Sequence, residues 1–94
     1  MNQIPDEKLA RAIRSKMRRD MLHLLVKKKQ MPVHEIAARL KISESLASRH
    51  LKMLYDFGLV DFKFEAPEKF YFIKIGTLGR MLEAYQAVVK EMKK

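Results

Sequence analysis

Residues 32 to 60, PVHEIAARLKISESLASRHLKMLYDFGLV, constrain this chain more than any other stretch. From Glu35 to Leu40, the residues Ile36, Ala37 and Leu40 recur at helical spacing and form one apolar stripe. Lys41-Ile42 reads as a tight turn. Ser43 carries the hydroxyl a helix N-cap needs, an acceptor for a free backbone N–H of the first turn. The spacing predicts a second helix from there to about Asp56, stopped by Gly58. With Ala47, Leu51 and Leu54 on its inner face, Ser45, Ser48, Arg49, Lys52 and Asp56 turn outward. Small residues let a helix approach another surface closely, and hydroxyls and a guanidinium can read base edges and phosphates. Two short helices, a tight turn and that outward face predict a helix-turn-helix whose second helix does the reading.

The flanks complete a domain. Pro5-Asp6-Glu7 suits a helix start, because proline is tolerated in a first turn and acids suit the positive helix end. Leu9, Ala12, Ile13 and Met17 then form a stripe, with a bend expected near Ser15-Lys16. The next helix, Met17 to about Lys28, is apolar on most sides and should be central. Lys27, Lys28 and Lys29 stand where cations favour a helix C-terminus. His23 beside this core is expected to be structural. Met31-Pro32 breaks the chain, and Val33 is expected in a small third strand. After Gly58 the period becomes two, which predicts a β-hairpin over 59–75 with its turn at Ala66-Pro67-Glu68-Lys69. Its aromatic residues are expected to seal it against the helices. Thr77 is the expected N-cap of a last helix over 77–93. There Leu78, Met81, Leu82, Tyr85, Val88, Val89 and Met92 make an unbroken seam. Such a seam needs a partner surface: its own domain or, as preferred here, a second copy, with Leu9 and Ile13 of the first helix joining the interface.

The run Ser43-Glu44-Ser45-Leu46-Ala47-Ser48-Arg49-His50-Leu51-Lys52-Met53-Leu54, followed by Phe57-Gly58-Leu59-Val60, resembles the recognition helix and wing entry of ArsR-like (arsenic-repressor-like) winged-helix transcription regulators. Arg18 to Leu25 resembles that family's Arg-x-x-Ile-Leu-x-x-Leu second helix, and the likeness ends at Tyr71-Phe72-Ile73, covering about three quarters of the chain. The Ser-x-His-Leu pattern is shared with neighbouring winged-helix families. The resemblance implies the fold, the DNA-binding mode, a histidine position at His50 and pairing of subunits through the last helix. Two departures qualify it. The wing tip holds Pro67, two acids and the cations Lys63 and Lys69, where relatives often carry arginine and glycine. The family's metal sites also find no counterpart: Met31 to Ile36 contains no cysteine, and the last helix has Glu83 and Glu91 but no histidine. The resemblance therefore implies no metal response.

Length and charge agree with this reading. The 94 residues suggest a single domain, 1–94, with the helix-turn-helix at 33–57, the wing at 59–75 and a dimerisation helix at 77–93. The expected fold is mainly α with a small β-hairpin, an α+β winged helix-turn-helix of four helices, a β-wing and a fifth, C-terminal helix. A net charge of +9 favours a polyanionic partner. There is no cysteine, which excludes disulfides and thiolate-bound metal. No apolar run is long enough to span a membrane and the N-terminus lacks a signal-peptide core, so a cytoplasmic, nucleoid-associated protein with no membrane partner is expected.

Catalytic patterns are missing. No glycine-rich phosphate loop occurs, His23, His34 and His50 lie on separate elements, and Ser48 and His50 do not share a helix face. We therefore expect no enzyme, no metal and no cofactor. The expected function is a sequence-specific, double-stranded-DNA-binding transcription regulator, a repressor by preference, acting as a homodimer on a palindrome. Ser45, Ser48 and Arg49 are expected to read bases, and Ser43, Lys52, Arg39, Lys41, Lys63 and Lys69 to hold phosphates. A sequence-neutral DNA coat and a winged-helix protein-interaction module are the alternatives. The sequence names no effector.

Overall fold

Ser15 divides the N-terminal region into two helices in the computed structural model, which describes residues 5–93. Helix α1 spans Pro5–Arg14 and α2 spans Lys16–Lys28. Ser15 is extended, and its hydroxyl accepts from the Arg18 N–H at 3.2 Å, so the bend is a capped helix start. The carbonyls that end α1 have no partner within the helix. Two consecutive arginines of α2 take them. Arg18 donates to the carbonyls of Arg11 (2.7 Å) and Ala12 (3.2 Å). Arg19 donates to those of Ile13 and Arg14.

After α2 come strand β1 (Gln30–Pro32), helices α3 (Val33–Leu40) and α4 (Glu44–Asp56), strands β2 (Val60–Glu65) and β3 (Glu68–Ile73), and helix α5 (Leu78–Met92). The sheet is antiparallel in the order β1-β3-β2. As expected, α2 is central: Met21, Leu22 and Leu25 are buried against Ile36, Ala47, Leu51 and Leu54. The helix-turn-helix forms where the sequence places it. Lys41 adopts a left-handed φ of 59° between α3 and α4, and Gly58 does so at 83° after α4, where its missing side chain removes the penalty.

Three local expectations change. The third strand is made by Gln30-Met31-Pro32, and Val33 opens α3 instead. Met31 stands opposite Tyr71 and is fully buried, whereas Pro32, extended and lacking an N–H, precedes the helix. The wing turn is shorter than expected, because Glu65 pairs with Glu68 and leaves Ala66 and Pro67 between the strands. Thr77 sits at the N-cap of α5 but in helical backbone geometry, and its side chain makes no capping bond. The aromatics of the wing also divide. Val60, Phe62, Tyr71 and Ile73 share the face turned to the helices, yet Phe64 is 63% exposed, because the wing extends beyond them.

Candidate nucleic-acid interface

Helix α4 is held from behind and free in front. Ala47, Leu51 and Leu54 anchor it in the core, and Ser43 caps its first turn by accepting from the Leu46 N–H at 3.1 Å. Leu46 itself is half-buried. On the opposite side Ser45, Ser48, Arg49 and Lys52 are all exposed. Ser43, Arg39, Lys41, Lys63 and Lys69 are exposed too. The nine residues expected to meet DNA therefore all reach the surface. What each would touch there depends on how a duplex seats.

The cations are only lightly engaged. Lys52 pairs with Asp56 at 3.1 Å and Lys63 with Glu65 at 3.3 Å, and all four groups are at least half exposed. Such pairs are worth little and can exchange a carboxylate for a phosphate. Lys69 lies 4.7 Å over the Phe62 ring. Arg49 makes no ion pair among the described residues. His34, at the start of α3, contacts Glu68 at 2.5 Å and ties the wing to the helix-turn-helix. Among the described residues no cluster of histidines and carboxylates could hold a metal ion.

His50 has a partner that the sequence reading missed. Its Nδ1 lies 3.4 Å from Nη1 of Arg18, the same arginine that closes α1. Burial lowers the His50 pKa from the usual 6.5, and the charges of Arg18 and Arg49 lower it further. The ring is therefore neutral near pH 7 and can accept from the guanidinium. Arg19 makes the companion link, its guanidinium 5.1 Å over the ring of Tyr85 on α5. The available signal was the arginine pair three residues into a helix that follows a break. Tyr55, 44% exposed beside Phe62, was also missed, although it shares a helix face with Ser48 and Lys52.

The seam expected between subunits splits in two. Leu78 and Leu82 are 3% and 1% exposed inside the chain's own core. Leu9, Ile13 and Met81 pack partly against that core, and Tyr85 and Val89 are half-buried. Val88 and Met92 stand out at 57% and 76% exposed.

A core helix, a helix-turn-helix with an open polar face and a β-hairpin beside it define a winged helix-turn-helix domain. The model of the arsR family of bacterial regulatory proteins matches residues 15–61, half of the chain, and this protein belongs to that family. It is a DNA-binding transcription regulator, not an enzyme. Solved structures agree. HlyU from Vibrio cholerae is 28% identical, with 89% of this chain and 90% of that one covered at a TM-score of 0.79. The homodimeric winged helix-turn-helix DNA-binding domain of a possible ArsR-family regulator from Mycobacterium bovis is 25% identical, covering 93% of this chain and 80% of that one at a TM-score of 0.82. The transcriptional repressor BigR from Xylella fastidiosa shares the fold at 18% identity and a TM-score of 0.79, with 88% and 84% covered. No curated protein sequence matches the chain.

Proposed function

We propose that two copies of this protein bind one palindromic duplex and repress transcription by occupying it. The observation that carries this reading is the open face of α4, where Ser45, Ser48 and Arg49 stand together and exposed. Ser45 and Ser48 let the helix settle into a major groove, and Arg49 donates two hydrogen bonds to a guanine edge. Ser43, Arg39, Lys41 and Lys52 hold the phosphates around that groove, and Lys63 and Lys69 meet the backbone beside the wing.

Dimerisation is supported by the apolar side chains that α5 leaves in water, Val88 and Met92, and by the homodimeric state of the Mycobacterium bovis relative. Leu9, Ile13, Met81, Tyr85 and Val89 extend that surface, while Leu78 and Leu82 support it from within. A two-fold pair presents two copies of α4 to half-sites about 34 Å apart, one helical turn of DNA. The protein then works on chromosomal DNA in the cytoplasm.

Selection of bound duplexes from a random pool at moderate salt tests the reading. The expected product is one motif with dyad symmetry. Its affinity should fall steeply with salt, with a slope near −0.9 for each neutralised phosphate. Enrichment of no motif, with uniform protection along any duplex, would establish a sequence-neutral coat instead.

A further inference from the structure

Between α4 and the wing lies a groove of about 390 Å³. One wall is the α4 face carrying Ser48, Lys52 and Tyr55, and the other is the inner wing face with Phe62, Lys69 and Tyr71. Three rings line it in file. Tyr55 and Phe62 have centroids 5.3 Å apart, Phe62 and Tyr71 5.4 Å, each pair tilted by 48°. Two ammonium groups flank the rings and no lining residue is acidic. The Lys69 ammonium is already placed over Phe62, and Lys52 is engaged only by an exposed carboxylate. Tyr71, which also lines the groove, is 5% exposed, and burial raises its pKa from 10.0 and keeps the phenol neutral.

These walls suit one kind of occupant. Tilted rings accept a flat aromatic system edge-to-face or offset. The ammonium groups and the phenol favour an anionic group on its rim. The volume matches pockets that enclose small ligands, which begin at about 300 Å³. The larger groove around His23, about 470 Å³, mixes Lys16, Arg19 and Lys90 with Asp20 and offers no such file of rings.

We propose that the groove between α4 and the wing binds a planar aromatic carboxylate, and that its occupation excludes DNA. The second half rests on the function proposed above, because Ser48, Lys52 and Lys69 are assigned there to the duplex. A ligand seated on these three occupies groups that hold DNA, so the site couples a small molecule to operator release without a change of fold.

The experiment uses the full chain and 2-naphthoate as probe, with sodium chloride matched in every sample. Amide chemical shifts are followed by NMR during titration, and a fluorescein-labelled mixed-sequence duplex at low salt is followed by anisotropy. Saturable shifts at Ser48, Lys52, Phe62, Lys69 and Tyr71 are expected, with a Kd of about 0.1–1 mM. Cyclohexanecarboxylate, which lacks the flat ring, and 2-naphthol, which lacks the charge, should each bind at least about fivefold more weakly. Tyr55→Ala and Lys69→Gln, both at exposed positions, should weaken naphthoate about five- to tenfold while the free spectra stay folded. Shifts confined to the groove around His23, or equal binding of cyclohexanecarboxylate, would overturn the site. Naphthoate bound at the groove with the duplex still in place would overturn the exclusion. A chain that binds naphthoate there but no duplex leaves the site standing and removes the regulator reading. A chain that binds the duplex and shows no naphthoate shift does the reverse.

Discussion

Helices α4 and α5 are built alike on the inside and oppositely on the outside. Each buries leucines in the same core, Leu51 and Leu54 from one, Leu78 and Leu82 from the other. Each leaves one face uncovered. On α4 that face is Ser45, Ser48, Arg49 and Lys52, groups that water solvates well and that gain from a partner offering anionic and hydrogen-bonding groups, such as phosphates and base edges. On α5 it includes Val88 and Met92, which gain about 1.5–3 kcal/mol each when removed from water. An uncovered helix face thus names its partner by its chemistry, here a hydrated polyanion on one side and a second apolar surface on the other.

Four variants test this contrast between the helices and the core beneath them. The largest effect is expected inside. Leu82→Ala should lower the unfolding free energy by about 2–5 kcal/mol in urea melts, whatever the protein concentration. A cost that fades on dilution would return Leu82 to the subunit interface. Arg49→Ala should leave the urea midpoint in place and remove about 1–3 kcal/mol of discrimination between the selected operator and a scrambled duplex. Equal loss on both duplexes would make Arg49 a phosphate contact. Replacing Val88 and Met92 together by Asp should raise the dimer dissociation constant at least about tenfold in sedimentation experiments, with an unchanged circular dichroism spectrum. The smallest effect is at His50. Its folded pKa lies below 6.5, so on acidification the unfolded chain binds this proton first. Its influence on stability is therefore absent above about pH 6.5 and becomes destabilising as pH falls through that value. Arg18→Met should move the His50 pKa, read by NMR, back up toward 6.5; an unmoved pKa would show that burial and Arg49 set it without Arg18.

Much of this molecule could be read from one face at a time. The stripe of Ile36, Ala37 and Leu40, the hydroxyl of Ser43 and the glycine at 58 placed the helix-turn-helix correctly, because local periodicity and capping decide those elements. Alternation likewise found β2. Where the outcome depends on something distant in the chain, the same signals fell short. A seam of apolar residues on α5 cannot tell which of its members face the chain's own α2, so Leu78 and Leu82 looked like Val88 and Met92. Val33 has strand propensity, yet the residue placed opposite Tyr71 is Met31. Thr77 is a good capping residue by type, but its helical backbone turns the hydroxyl away from that duty. The site itself was legible as a set of exposed residues. The reach of Arg18 to His50 was not, since 32 positions separate the two.

Arg18 and Arg19 also govern what a shortened chain would become. A fragment beginning at Ser15 keeps the residues of the helix-turn-helix and wing, yet it deprives Arg18 and Arg19 of the carbonyls of α1, leaving the first beside His50 and the second over Tyr85. It also discards Ala12, buried in the core, and Leu9 and Ile13, which pack against it. Clipping the first helix would therefore leave the remainder with two guanidinium groups short of acceptors and a core laid open along one side.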